Sequence, residues 1–229
     1  MRILRSDLSR LPESEGAVVV IDVLRSFSTA AYALAAGAKA VMAVESVDAA
    51  WALRSRISDA FTIGSVGGGA AVPDFDAGNS PSALARHDLR GRTVIQYTAG
   101  GVKALVKWQG AEIMLASSLV CARATARYLR RLAPQSVTLV VTGEWTDRDG
   151  DEDHACADYL QALLQEENPD PAPFAERVRN SDFGRRFSSG ADSALPVADL
   201  DYCAAADRFD FAMAIRRAEG CLLILAVAA

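Results

Sequence analysis

The stretch Val18-Val-Val-Ile-Asp-Val-Leu opens on four successive β-branched residues, Val18 to Ile21, and that continuous run predicts a strand buried on both faces of a parallel sheet. Residues 27–36 follow as an alanine-rich helical pattern that stops at Gly37, a good C-terminal signal. Residues 40–44 read as a second strand. Ser46 caps a helix whose buried side is supplied by Trp51, Leu53 and Ile57, and residues 61–64 form a third strand. Further strands are predicted at 93–96, 112–115 and 136–142, with helices at 104–108, 119–132 and about 153–166. Strand and helix alternating at this spacing predicts βαβ units, hence an α/β fold with a mainly parallel or mixed sheet, helices on both faces and the site at the carboxyl ends of the strands.

The rhythm fails in three places. Residues 65–81 have no periodicity, and a loop of that length inside a compact domain is uncommon unless it has a function. A flexible linker is the plain alternative, but Asp74-Phe-Asp-Ala-Gly-Asn-Ser-Pro81 is not linker composition, so a substrate-facing loop is expected. Residues 168–200 are polar and broken by glycine and proline, and read as a surface excursion or small subdomain within a single domain spanning 1–229. Residues 202–217 return to helical spacing. The apolar tail from Cys221 is expected to close the sheet or pair at its edge.

Candidate chemistry sits at the predicted strand outlets. The first strand delivers Asp22, Arg25, Ser26, Ser28 and Thr29 to a turn into a helix, where unpaired amides favour an anion. Asp22 and Arg25 can equally pair and cap. Tyr97-Thr-Ala-Gly-Gly-Val-Lys103 places Thr98, Gly100 and Gly101 where backbone amides could approach a phosphate, although an ordinary helix entry would look the same. The acid-rich outlet after the 136–142 strand, including Glu152 and Asp153, is either a helix start that accepts negative charge or a cation site.

Composition narrows the classes. Of 229 residues 51% are hydrophobic but only 7% aromatic, which suits a core of Ala, Val and Leu. The charge of -5, from 29 acidic and 24 scattered basic residues, argues against nucleic acid as a partner. The first sixteen residues lack an apolar core, and the tail is far short of the roughly 20 residues of a membrane span, so a cytoplasmic chain with no membrane partner is expected. Four widely separated cysteines and two histidines do not make a structural zinc site. No P-loop, dinucleotide fingerprint or nucleophile elbow is present. Cys203 and Arg208 are one residue too close for a cysteine phosphatase loop, and Asp22-Val-Leu lacks the second aspartate of an Asp-x-Asp phosphatase. What remains is carboxylates, hydroxyls and glycine turns suited to a magnesium ion bridging protein and phosphate ester.

Three segments carry a resemblance: Ile21-Asp-Val-Leu-Arg-Ser-Phe-Ser-Thr29, Phe75-Asp-Ala-Gly-Asn-Ser-Pro81 and Glu152-Asp-His-Ala-Cys-Ala157, with an echo at Leu200-Asp-Tyr-Cys203. In order and separation they resemble the 2-phosphosulfolactate phosphatase family, magnesium-dependent enzymes on the route to coenzyme M. The resemblance implies Asp22, Arg25 and Asp76 as catalytic residues. It implies Ser28, Thr29, Asn79, Ser80, Thr98, Gly100 and Gly101 as substrate-binding, and Asp22, Asp76, Glu152 and Asp153 as ligands of Mg2+. The implied partner is a small anionic phosphoester, with room for a homo-oligomer. Three departures stand beside it. Gly64-Ser65-Val66 replaces a Gly-Glu-Arg, Tyr97-Thr98-Ala99-Gly100-Gly101 replaces a Thr-Asn-Gly-Thr turn, and Ser117-Ser118-Leu119-Val120 replaces a Ser-Phe-Leu-Asn. A member that binds a small anion without turnover, or regulates a partner, is therefore the alternative.

Overall fold

The structure, a computed structural model, describes residues 1–8, 16–98, 102, 111–143, 148–218 and 220–229. Among the described residues ten strands form one sheet: β1 (Arg2–Ser6), β2 (Ala17–Ile21), β3 (Ala40–Val44), β4 (Ala60–Gly64), β5 (Ala77–Gly78), β6 (Thr93–Tyr97), β7 (Ile113–Ser117), β8 (Ser136–Val141), β9 (Phe211–Ala218) and β10 (Cys221–Ala228). Their spatial order is β1-β8-β2-β7-β9-β10-β3-β6-β4-β5. Among the described residues the helices are α1 (Ser26–Ala35), α2 (Val47–Arg54), α3 (Pro81–Leu84), α4 (Ala122–Leu132), α5 (Asp151–Leu164), α6 (Ala172–Asn180), α7 (Asp182–Ser188) and α8 (Val197–Cys203). The helix expected at 104–108 falls outside the described residues.

Side-chain alternation along β2 explains the two-faced core. Ala17, Val19 and Ile21 pack with α4 to α8, whereas Val18 and Val20 pack with α1 and Leu84 of α3. All five residues of β2 are buried, as its continuous apolar run requires.

The sheet is mixed in an unusual way. β1, β8, β2 and β7 are parallel to one another, and so are β3, β6, β4 and β5. Between the quartets lies the β9–β10 hairpin, antiparallel at each of its junctions, so the second quartet runs opposite to the first along the ladder. Five ladder steps separate β2 from β6. At roughly 20–25° of twist per step they accumulate on the order of 100–125°, which turns the reversed β6 much of the way back toward the direction of β2. The carboxyl ends of the two strands do meet: the Ser26 hydroxyl donates to Thr98 Oγ1 at 3.1 Å, and Gln96 Nε2 donates to the Ser26 carbonyl at 2.9 Å.

Three expectations change. The 168–200 stretch is not a polar excursion; it holds α6, α7 and the start of α8, because Val178, Phe183, Phe187, Leu195 and Leu200 belong to the same core as β2. Its apolar residues are too few per helix to show a long period. Residues 202–217 do not continue as one helix. α8 ends at Cys203, Asp207 takes a positive φ of 54°, and the alternating chain enters β9. The tail forms β10, which lies inside the sheet between β9 and β3 rather than at its edge.

Candidate active site

The turn after β2 is built by its own acid. Asp22 Oδ1 accepts the Ser26 amide at 2.9 Å, satisfying one of the open donors at the start of α1. The same turn receives a second carboxylate from the helix that follows β8, the strand next to β2. Asp153, in the first turn of α5, accepts the Val23 amide at 2.7 Å on Oδ1 and the Thr142 amide at 3.0 Å on Oδ2. The Thr142 hydroxyl lies 3.0 Å from the Ile21 carbonyl, closing the ends of β2 and β8 together.

Glu152 completes an acidic group. Asp22, Glu152 and Asp153 are 7%, 1% and 1% exposed. Burial pushes the Glu152 carboxyl up to about 7; the neighbouring Asp22 charge adds to that and the Arg148 charge opposes it. Burial likewise raises Asp153 well above the usual carboxylate range, with Asp22 and then Glu152 as the next causes. Glu152 Oε2 is buried without a protein partner. Gly143 makes room for the pair: a Cβ there would meet Glu152 Oε1 at 3.0 Å and Asp153 Oδ2 at 3.2 Å.

Hydroxyls and amides surround the same strand ends. Ser28 donates to the Val23 carbonyl at 2.7 Å and shares a 2.5 Å hydrogen bond with Ser118. Thr29 Oγ1, Ser65 Oγ and Gln96 Oε1 are buried without protein partners, a pattern that ordered water or a ligand ordinarily resolves. Asn79 accepts from Gln96 Nε2 at 3.1 Å, so the Phe75–Pro81 motif reaches β6. Gly100 and Gly101 lie outside the described residues.

Two expected site residues are placed differently. Arg25 does not pair with Asp22; its Nη1 donates to Asp199 Oδ2 at 2.8 Å and to the Ala194 carbonyl at 3.2 Å, and its Nη2 to the carbonyls of Gly68 and Gly69, each at 3.1 Å. Asp76 turns away from the acidic group toward β4 and α2. It accepts from both terminal nitrogens of Arg54, from the Thr62 amide at 2.8 Å and from the Thr62 hydroxyl at 2.9 Å. Desolvation acts upward on its carboxyl, but these hydrogen bonds outweigh it and hold the value at about 2. Ser80 caps α3 through the Ala83 amide at 3.2 Å and donates to Asp199 Oδ1 at 2.7 Å.

Asp199 is the residue that sequence reasoning passed over. It is fully buried, and a signal existed: Asp199 and Cys203 stand four apart in α8 and are both buried, so an acid shares a face of that short helix with a core cysteine.

Among the described residues no group of three or more His, Cys, Asp or Glu side chains is set to hold a metal ion. Magnesium does not require one. It typically takes one or two carboxylates and completes its shell with water and substrate phosphate. Asp22 and Glu152, hard oxygen donors of which the second has an unpartnered buried oxygen, fit that requirement, with Asp153 beside them.

Comparison with known proteins supplies the family. A family model described as 2-phosphosulpholactate phosphatase matches residues 3–218. A protein of Deinococcus radiodurans is 32% identical over 214 residues, covering 88% of each chain. One of Bacillus subtilis is 28% identical over 200 residues, 87% of this chain and 86% of the relative. One of Carboxydothermus hydrogenoformans is 42% identical over 152 residues, 66% of this chain and 61% of the relative. All three bear the name "Probable 2-phosphosulfolactate phosphatase". A match over nearly the whole chain, on the strands and turns that assemble the acidic group, places the chain in the 2-phosphosulfolactate phosphatase family.

Proposed function

We propose that the chain is a phosphoric monoester hydrolase, a magnesium-dependent phosphatase that releases phosphate from 2-phosphosulfolactate or a related 2-phospho acid. The observation that carries the reading is the convergence of three buried carboxylates, Asp22, Glu152 and Asp153, at the ends of β2 and β8, where their mutual repulsion favours a bound cation. Asp22 and Glu152 would hold the magnesium ion. When bound it supplies neutralising charge to the phosphoryl oxygens and makes the phosphorus easier to attack.

The chain's own groups do the rest. Asp153 fixes the Val23 and Thr142 amides and so keeps the two strand ends in register with each other. Thr98, joined to Ser26, and the buried Ser65 hydroxyl offer hydrogen bonds to phosphate or to the acid group of the substrate. Attack by water is the simpler route; a covalent intermediate at Asp22 would use a carboxylate already accepting the Ser26 amide. Asp76, engaged by Arg54 and Thr62, shapes the loop that carries Asn79 and Ser80 rather than holding the ion.

Phosphate release from 2-phosphosulfolactate and 2-phospholactate, with and without magnesium, tests the reading. Magnesium-dependent release is expected; no turnover of any small phosphoester would remove it. One observation favours a second reading, anion binding without hydrolysis: both terminal nitrogens of Arg25 are committed to protein acceptors. Calorimetry with phosphate, in the presence and absence of magnesium, separates binding alone from turnover.

A further inference from the structure

Asp199 accepts four hydrogen bonds and is fully buried: Arg25 Nη1 on Oδ2, and on Oδ1 the Ser80 hydroxyl at 2.7 Å, the Ser82 hydroxyl at 2.6 Å and the Ser82 amide at 3.0 Å. Oδ1 takes three of these bonds and Oδ2 takes one, so the protein itself engages both carboxylate oxygens. Arg25 is held just as fully. Its terminal nitrogens reach Asp199, Ala194, Gly68 and Gly69, and its Cζ lies 5.2 Å from the centre of the Phe187 ring. One donor stays outside this network, the buried Nε.

The glycine loop needs such an anchor. Gly67 and Gly68 take φ of 61° and 81°, and three glycines in succession carry no side chain to fix their own position. The Arg25 bonds to the carbonyls of Gly68 and Gly69 supply it. Without Asp199 the guanidinium would be a buried cation facing only carbonyl dipoles, an arrangement that rearranges rather than persists.

We infer that Asp199 is a positioning residue: through Arg25 it sets the Gly68–Gly69 loop, and through Ser80 and Ser82 it sets the turn into α3, so that both segments are presented to the strand ends as one unit. This rests on the phosphatase reading only for its kinetic arm. Arg25 then acts chiefly as a clamp, with Nε as its single donor left for a ligand oxygen.

The test compares wild type, Asp199→Asn, Arg25→Lys and the double variant by phosphate release and by amide hydrogen exchange. In Asp199→Asn, exchange in a peptide spanning 66–70 should rise at least fivefold while peptides of β2 and β8 stay unchanged, and kcat/KM should fall at least tenfold. The double variant should lose no more than about twofold beyond Arg25→Lys, because both changes break one clamp. Unchanged exchange at 66–70, a rise spread equally over the core strands, or losses that multiply in the double variant would overturn the inference. Should Asp199→Asn not fold, Ser82→Ala removes a single donor to Asp199 and should raise exchange at 66–70 in the same sense. Should wild type release no phosphate at all, the functional reading fails while the exchange comparison still decides the role of Asp199.

Discussion

Asp153 and Val23 are joined by a 2.7 Å hydrogen bond across 130 positions of sequence, and that bond seats the first turn of α5 on the outlet of β2. Two effects oppose each other in Asp153→Ala. Leaving the buried Val23 and Thr142 amides without acceptors costs roughly 1–3 kcal/mol each. Removing a carboxyl raised by burial and by two neighbouring acids returns part of that. The lost bonds outweigh the relief, and a net loss of about 2 kcal/mol is expected in urea unfolding. A variant as stable as wild type would mean that repulsion, not fastening, dominates at this position.

Gly143→Ala probes the same acids from the other side. A Cβ at 143 would approach Glu152 Oε1 at 3.0 Å, Asp153 Oδ2 at 3.2 Å and Gly150 Cα at 3.2 Å, so the two carboxylates must give by a few tenths of an ångström. Small displacements of positioned groups are costly to rate, and phosphate release should fall by about tenfold. Folding should suffer less, with a loss of about 1 kcal/mol. Kinetics and unfolding measured on the same preparation check the split; a large stability loss with normal turnover of the folded fraction would count against an acidic active group here.

The Asp76 carboxyl titrates at about 2 in the folded chain against an ordinary 3.8. A depressed value stabilises the fold in the ionised state, so the contribution is complete above about pH 4 and disappears as pH falls toward 2. Because the group faces solvent, screening limits it to about 1 kcal/mol. Asp76→Asn should therefore be less stable than wild type at pH 7 and nearly equal to it near pH 2, measured by denaturant midpoints at both. The same variant should keep its response to magnesium; loss of that response would return Asp76 to the metal ligands.

How far these relationships could be read beforehand differs by residue. The unbroken apolar run of β2, the cap at Ser46, which accepts the Ala49 amide at 3.1 Å, and the placing of Asp22 at a strand end all follow from local pattern. Asp76 shows the limit of a motif. The Phe75–Pro81 segment identifies a relative, but which way its acid turns depends on Thr62 and on Arg54 at the end of α2. Asp199 meets Arg25 across 174 positions, a pairing that no window of local sequence contains. The 168–200 helices escaped for a different reason: Val178, Phe183 and Phe187 are spread over short helices whose burial is supplied by α5 and β2 rather than by a periodicity of their own.

Glu152 provides the sharpest test of the cation. It is 1% exposed, close to the charge of Asp22, and its Oε2 lacks a protein partner, so ionised Glu152 strains the fold when no cation is present. Glu152→Gln keeps the shape and removes the charge, and in chelator the variant should melt several degrees above wild type, consistent with about 1–3 kcal/mol gained at the site. Adding magnesium should reverse the ranking. Ligand bound to the folded state alone at 100 times its Kd contributes about 2.7 kcal/mol, which wild type should gain and Glu152→Gln should largely forgo. Thermal melts in chelator and in a magnesium titration read both effects without reference to turnover. Equal magnesium stabilisation of the two proteins would remove Glu152 from the metal site.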